Sequence, residues 1–171
     1  SVRDKPMRFL VFWTVQMVWC FLTAFPLYTL LVRDDTGNDQ GTTIDYFSWA
    51  LWIFGFSIEV IADMQKRAFR FNPANHGKFI TSGLWSYSQH PNYAGEMIMA
   101  FAMWLSSSQS FTSTEALVTF SSPVFVWYLL KHISGVNLLD GIARKRWGND
   151  PSYAAYCART PVLFPFLSRF I

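Results

Sequence analysis

The sequence predicts an all-α fold, a polytopic transmembrane helical bundle with about four membrane segments and short amphipathic helices towards its C-terminal end. Three observations predict it. Of the 171 residues, 51% are hydrophobic and only 15% charged, against about 25% charged in a soluble domain. The apolar residues fall into long runs. The charges gather between those runs, with basic and non-basic stretches in alternation.

The first run, 9–32 (FLVFWTVQMVWCFLTAFPLYTLLV), clears the ~20 residues needed to cross hydrocarbon, and Pro26 predicts a kink within it. The second, 46–62 (YFSWALWIFGFSIEVIA), is interrupted by Glu59 and continues as a predicted helix through DMQKRAFRF. The third, 94–108 (AGEMIMAFAMWLSSS), is short, and the fourth, 114–133 (TEALVTFSSPVFVWYLLKHI), contains Pro123. From 136 onward the chain is mixed and amphipathic. Asp140, Arg144 and Trp147 share a face, Gly148 reads as a helix stop, and Asp150-Pro151 as a cap and first position of a last helix, PSYAAYCAR, ending before Pro161.

The N-terminal flank carries Arg3, Lys5 and Arg8, and the 63–90 segment carries Lys66, Arg67, Arg70 and Lys78. The tail carries Arg144, Lys145, Arg146, Arg159 and Arg169. By contrast, 33–45 sets Arg33 against Asp34, Asp35, Asp39 and Asp45, and 106–114 has no basic residue. The positive-inside rule then puts both ends and the 63–90 loop in the cytoplasm. The expected location is the endoplasmic reticulum in a eukaryote or the inner membrane in a bacterium. The length suits one domain over 1–171, with no repeats or low-complexity tracts. Cys20 and Cys157 form no disulfide framework or metal-ligand pattern, and a net charge of +3 is too small to argue for nucleic acid. The first apolar run is longer than a signal-peptide core and lacks a clear cleavage site. Nothing in the sequence sets the oligomeric state.

Polar residues in three places have no reason to be there for lipid alone. Glu59, Asp63, Lys66, Arg67 and Arg70 share one helical face at the end of the second run, with Asp63 and Arg67 spaced to attract. Ionisable groups inside a membrane segment are costly and line cavities, which makes Glu59 the sharpest of the set, while the others also fit a solvated helix end. The stretch SGLWSYSQHPNYAGE places Pro91 in the first turn of a helix with His90 near its cap. Asn92 and Glu96 then fall one turn apart. A helix N-terminus attracts phosphate or carboxylate, Asn92 offers a donor and an acceptor, and Glu96 suits ribose hydroxyls or a partner arginine. His90 as a cap, Tyr93 as an interfacial anchor and Glu96 as a helix-start charge are the plainer readings. In the tail, Tyr153 and Tyr156 fit stacking on a base or sitting among headgroups, and Arg144-Lys145-Arg146 fits phosphate or anionic lipid. No GxGxxG after a strand, GxxxxGKS, HExxH or GxSxG occurs, so a nucleotide bound here would lie within helices, phosphates at the cytoplasmic end and an apolar co-ligand in the membrane.

The runs IEVIADMQKRAFRFNPANHGKFITSGLWSYSQHPNYAGE and ISGVNLLDGIARKRWGNDPSYAAYCARTPVLFPF resemble the DUF1295 family, within the steroid 5-alpha-reductase and sterol C14/C24-reductase superfamily. The resemblance covers residues 55–168, and GLWSYS-HPNYAGE is quite specific to it. It implies a multi-helix membrane oxidoreductase that uses NADPH to reduce a carbon–carbon double bond in a steroid- or lipid-like substrate, with the cofactor in the cytoplasm-facing half. It also implies that this chain, which begins at Ser1, is the C-terminal part of a longer family protein. By position, Asp63 and Arg70 match an Asp and an Arg that contact NADPH, and Glu59 stands where the steroid reductases have a cofactor-contacting Asn. Lys78 stands at a phosphate-contacting basic position, and Asn92 and Glu96 match the N-[YF]-x-G-E element that holds the nucleotide. Tyr87, His90 and Tyr93 join the expected cofactor site from the same stretch, and Asp140, Arg144 and Tyr156 from the tail. Two features depart from the pattern: Gln89 replaces the usual Arg, and the half that supplies the substrate's proton in steroid reductases has no visible match. Two other readings compete. An isoprenylcysteine-type carboxyl methyltransferase using S-adenosylmethionine has a related bundle, but its Glu-Glu pair is LLDGIA here. A non-catalytic membrane subunit would keep the bundle without the chemistry.

Overall fold

Caps written into the sequence start most of the helices. Pro6 opens α1 (Pro6–Leu31). Thr42 and Asp45 form a reciprocal capping box that opens α2 (Thr43–Phe71), the Asp45 carboxylate accepting from the Thr42 N–H at 2.9 Å. Pro91 opens α3 (Pro91–Ser108), and a second box, Thr112 with Glu115, opens α4 (Ser113–Thr119). The structure, a computed structural model, describes residues 5–32, 41–133 and 135–165. The charges expected at Arg3, Arg33, Asp34, Asp35, Asp39 and Arg169 lie outside those residues.

Pro26 does not end α1. It is buried within the helix, as membrane-helix prolines are when neighbouring groups take up the freed backbone. Beside it, the Ser122 hydroxyl donates to Thr23 O at 3.1 Å. Thr14, Thr23 and Thr29 each donate back to the carbonyl four residues earlier, at 2.8–3.0 Å, which satisfies hydroxyls that hydrocarbon cannot. Glu59 does not break α2 either, and the predicted continuation to Arg70 holds.

The fourth expected run is divided. Pro123 lacks an N–H and here falls in the first turn of a helix, where none is needed: α4 gives way at Phe120 to α5 (Ser121–Tyr128), which passes into a π-helical turn at Leu129–Ile133. After Gly135 come α6 (Val136–Trp147), with Gly148 as its C-cap, and α7 (Pro151–Arg159), capped by Asp150 accepting from Ser152 N at 2.8 Å. All three tail assignments match the sequence reading.

Helices α2 and α3 form the spine and run antiparallel. Asn92 Nδ2 donates to Asp63 Oδ1 at 3.1 Å at one end, and Ser106 Oγ to Asp45 Oδ1 at 3.1 Å at the other. Between these ties Gly55 and Gly95 let the backbones touch. A Cβ on Gly55 would lie 2.8 Å from Gly95 O, and one on Gly95 would lie 2.5 Å from Gly55 O, the small-residue contact typical of membrane helix pairs. Met97, Ala100, Val126, Leu130, Val136 and Leu163 form a core where α3, α5 and the returning C-terminal segment meet.

Three helical runs are long and apolar enough to cross a membrane: Pro6–Leu31, Thr43–Phe71 and Ser113–Trp147. In the most apolar window of α1 only 6% of residues are buried, so its Phe, Leu and Trp side chains face outward. The remaining expected segment, α3, misses that standard because Asn92, Glu96 and its terminal serines dilute it. It is instead the central, packed helix.

Candidate functional site

The GLWS stretch builds the wall between α2 and the C-terminal helices. Gly83 adopts φ +63, and a Cβ there would run into the Gln65 side chain, so glycine is required on both counts. Gln65 Oε1 accepts from Leu84 N at 2.9 Å, and Trp85, 4% exposed, donates Nε1–H to Ala62 O at 3.0 Å. Tyr156 of α7 donates its hydroxyl to Trp85 O at 2.7 Å. Residues 88–90 then pair with the chain after α7: Gln89 N donates to Pro161 O at 2.9 Å and His90 N to Val162 O at 3.1 Å.

Together these fasten a cavity of about 220 Å³ between α2, α6 and α7. Phe79 packs edge-on against Trp147 and Tyr153, with ring centres 5.7 and 5.2 Å away. Trp147 donates Nε1–H to Gly77 O at 2.6 Å. Lys66, Arg70, Lys78 and Arg146 also line it, with the Lys66 ammonium 4.7 Å from the centre of the Trp85 ring, a cation–π contact. A second cavity of about 450 Å³ adjoins it, sharing Gln89, Asp140 and Tyr153 and adding Arg144 and Cys157. Burial, then the Cys157 thiol, pushes the Tyr153 phenol up to about 12, and burial raises Tyr156 as well. Both rings therefore stay neutral donors at ordinary pH.

His90 lines the first cavity and meets Asp140, which lines both. It occupies the N-cap position of α3 as expected, but its side chain does not cap the helix. The ring is stacked on Tyr93 (centroids 5.5 Å, planes 8° apart), and Nε2 lies 3.0 Å from Asp140 Oδ1. An ionised Asp140 selects the Nε2–H tautomer, leaving Nδ1 an acceptor. His90 is 5% exposed, and that Nδ1 finds no hydrogen-bond partner among the described residues.

The twelve expected residues fall into three groups. Arg70, Lys78, His90, Asp140 and Tyr156 line the first cavity; Arg144 lines the second, and Asp140 lines both. Glu59, Asp63, Asn92, Tyr93 and Glu96 follow the α2–α3 seam that leads away from it. Glu59 Oε2 and Asn92 Oδ1 are buried there without hydrogen-bond partners among the described residues. Tyr87, 66% exposed, lines neither cavity. Sequence reasoning passed over Trp85 and Phe79, and named Arg146 only within the Arg144-Lys145-Arg146 cluster. It also read Gln89 as a missing charge, whereas its side-chain amide donates to Cys157 O at 3.3 Å and Thr160 O at 2.5 Å. Those carbonyls belong to the open C-terminal end of α7. The signal that could have found Trp85 was a tryptophan one residue past a Gly-Leu pair in an otherwise polar turn.

Comparison with known proteins gives three findings. The model of the family described as "Protein of unknown function (DUF1295)" matches residues 2–160. A Delta(14)-sterol reductase of Ascobolus immersus is 30% identical over 127 residues, 63% of this chain and 26% of the reductase. A probable O-methyltransferase ustE of Ustilaginoidea virens is 36% identical over 56 residues, 33% of this chain and 18% of the methyltransferase. The chain thus spans about a quarter or less of the length of these relatives. No solved structure matches it.

Proposed function

The chain belongs to the DUF1295 family, and on that premise we propose that it is a membrane-embedded, NADPH-dependent reductase of a carbon–carbon double bond in a steroid- or lipid-like substrate. The observation that carries the reading is the cavity itself. Four cationic side chains, Lys66, Arg70, Lys78 and Arg146, stand around aromatic walls beside helices apolar enough to enter a bilayer. Phosphates suit the cations, and a flat ring suits Phe79, Trp85 and Trp147.

The residues present fit such a cofactor in a second respect. His90 Nδ1, Asn92 Oδ1 and Glu59 Oε2 are buried acceptors without donors among the described residues, a costly state that a ligand rich in hydroxyl and amide N–H groups would relieve. The first cavity alone is below the ~300–1,000 Å³ of ordinary ligand sites, while the two adjoining cavities together fall within that range. When bound, NADPH supplies the hydride. The protein's part is to hold the phosphates with its cations, orient the ribose and amide through Asn92 and Glu59, and keep water out with the aromatic wall. The sterol reductase match supports the reductase reading.

The methyltransferase match supports a second reading, with S-adenosylmethionine in the same cavity. Ligand protection of the detergent-purified chain separates them. A ligand at 100 times its Kd stabilises the folded protein by about 2.7 kcal/mol. NADPH should raise the unfolding temperature accordingly, and Arg70→Ala and Lys78→Ala should abolish most of the rise. Protection by S-adenosylmethionine alone selects the methyltransferase, and protection by neither selects the non-catalytic subunit.

A further inference from the structure

Helix α6 has two unlike faces. Inward it turns Leu139, Asp140, Ala143 and Trp147, which wall the first cavity together with the half-exposed Ile142 and the exposed Arg146, and two bonds hold that face down: His90 with Asp140 at 3.0 Å, and Trp147 with Gly77 O at 2.6 Å. At 100° per residue, Leu138 and Lys145 lie on the side away from the cavity, with Ile142 at the border between the two faces. Leu138 and Ile142 are each 55% exposed. Lys145 is exposed too, and the exposed Arg144 and Arg146 flank it on either side. Val136 alone in this helix is buried.

The position of α6 in the chain says what this stripe meets. The helix closes the Ser113–Trp147 run that is apolar enough to cross a membrane; at 35 residues that run is longer than the ~20 that hydrocarbon needs, so its charged last part, α6, lies past the apolar stretch. The chain bends off that stretch at Gly135, where a Cβ would strike Leu130 O. The helix therefore starts at the end of a membrane segment and carries its own apolar stripe flanked by cations, the pattern of helices that lie in a bilayer interface.

We propose that the outer stripe of α6 docks on the anionic headgroups of the bilayer that the chain enters, so that the membrane surface backs the outer wall of the cavity. Leu138 and the exposed edge of Ile142 enter the headgroup–acyl boundary, and Lys145, which lines neither cavity, meets lipid phosphates, a cation near an anionic surface contributing about 1 kcal/mol. The proposal rests on the membrane reading of the helices and is independent of which cofactor the cavity takes.

The test is amide hydrogen exchange across 136–147 in the full chain. The chain is reconstituted without nucleotide in nanodiscs of neutral phosphatidylcholine and in discs with phosphatidylglycerol added. Exchange in α6 should slow about fivefold in the anionic discs, and high salt should reverse much of the effect. A Leu138→Gln/Lys145→Glu double variant should lose the slowing while α2 and α3 exchange as before, and Lys145→Gln should keep part of it. Neither substituted side chain lines a cavity. Equal exchange in both kinds of disc overturns the proposal. So does slowing reproduced in neutral discs by inorganic phosphate, which would assign the cations to a soluble anion. With no nucleotide in any arm, failure of the reductase reading leaves these outcomes unchanged.

Discussion

Tyr156 ties α7 to the GLWS turn, its hydroxyl on Trp85 O and its ring 5.8 Å from that of Phe79. Its burial favours the neutral phenol, as does that of Tyr153, whose folded value is about 12 against an ordinary 10.0. For a raised value, the stability is fully present below the unfolded pKa and is lost as pH climbs towards the folded one. As far as these two rings are concerned, unfolding temperature in detergent should therefore be independent of pH below about pH 10 and decline above it. Tyr156→Phe should cost about 1 kcal/mol at neutral pH through the lost hydrogen bond and flatten part of the alkaline decline. An unchanged decline in that variant would remove Tyr156 from the account. Gln89 gives a second test at this scale. Because its amide satisfies two carbonyls at the end of α7, Gln89→Leu should destabilise the fold by about 1–3 kcal/mol. Gln89→Arg, which still donates hydrogen bonds and adds a charge favourable at a helix C-terminus, should fold with nearly unchanged stability. Chemical unfolding of the two variants in mixed micelles decides this.

Among the helices, local chemistry was readable and non-local pairing was not. Pro91, Gly148 and Asp150-Pro151 mark element ends by the loss of an N–H or by capping, and such signals need no partner. Pro123 carried the same kind of signal and was read as lying inside one run, so the division of α4 from α5 was missed. The pairing of 88–90 with 161–162 joins residues more than seventy positions apart, and no period or cap reports it. Hence Gln89 was read for its charge rather than its hydrogen bonds. Helical spacing did select Asn92 and Asp63, and these bond to each other; it could not show that Trp85 lies between the lysine of α2 and the tyrosine of α7. The Gly55–Gly95 contact was equally silent, because a glycine in a hydrophobic run shows its purpose only beside its partner. Gly95→Ala should force the α2 and α3 backbones apart, since the new Cβ would sit 2.5 Å from Gly55 O and 2.9 Å from Glu59 N. A loss of about 1–3 kcal/mol is expected, measured by unfolding in mixed micelles, with Met97→Leu as a volume-conserving control.

Taken whole, the molecule has two chemically different ends. Asp45 and Ser106 are bonded at one, beside the Ser108–Phe111 turn. At the other lie the Asn92–Asp63 bond, both cavities and the cations Lys66, Arg67, Arg70, Lys78, Arg144, Lys145 and Arg146. Because α3 runs antiparallel to α2 between the two ties, it traverses the same layer as α2 although its own composition is too polar to mark it. At 1.5 Å per residue its 18 residues span about 27 Å, close to the ~30 Å hydrocarbon thickness. The four-segment arrangement thus follows from pairing where hydropathy alone finds three. The positive-inside rule then predicts that the cavity end is cytoplasmic. With Cys20 and Cys157 replaced by serine, Lys78→Cys should react with a membrane-impermeant maleimide only in vesicles exposing the cytoplasmic face. Gln109→Cys should react only in vesicles of the opposite orientation. Labelling of both positions from one side would mean that α3 does not cross, and reversed labelling would put the cavity, and whatever phosphate-bearing ligand it holds, on the far side of the membrane.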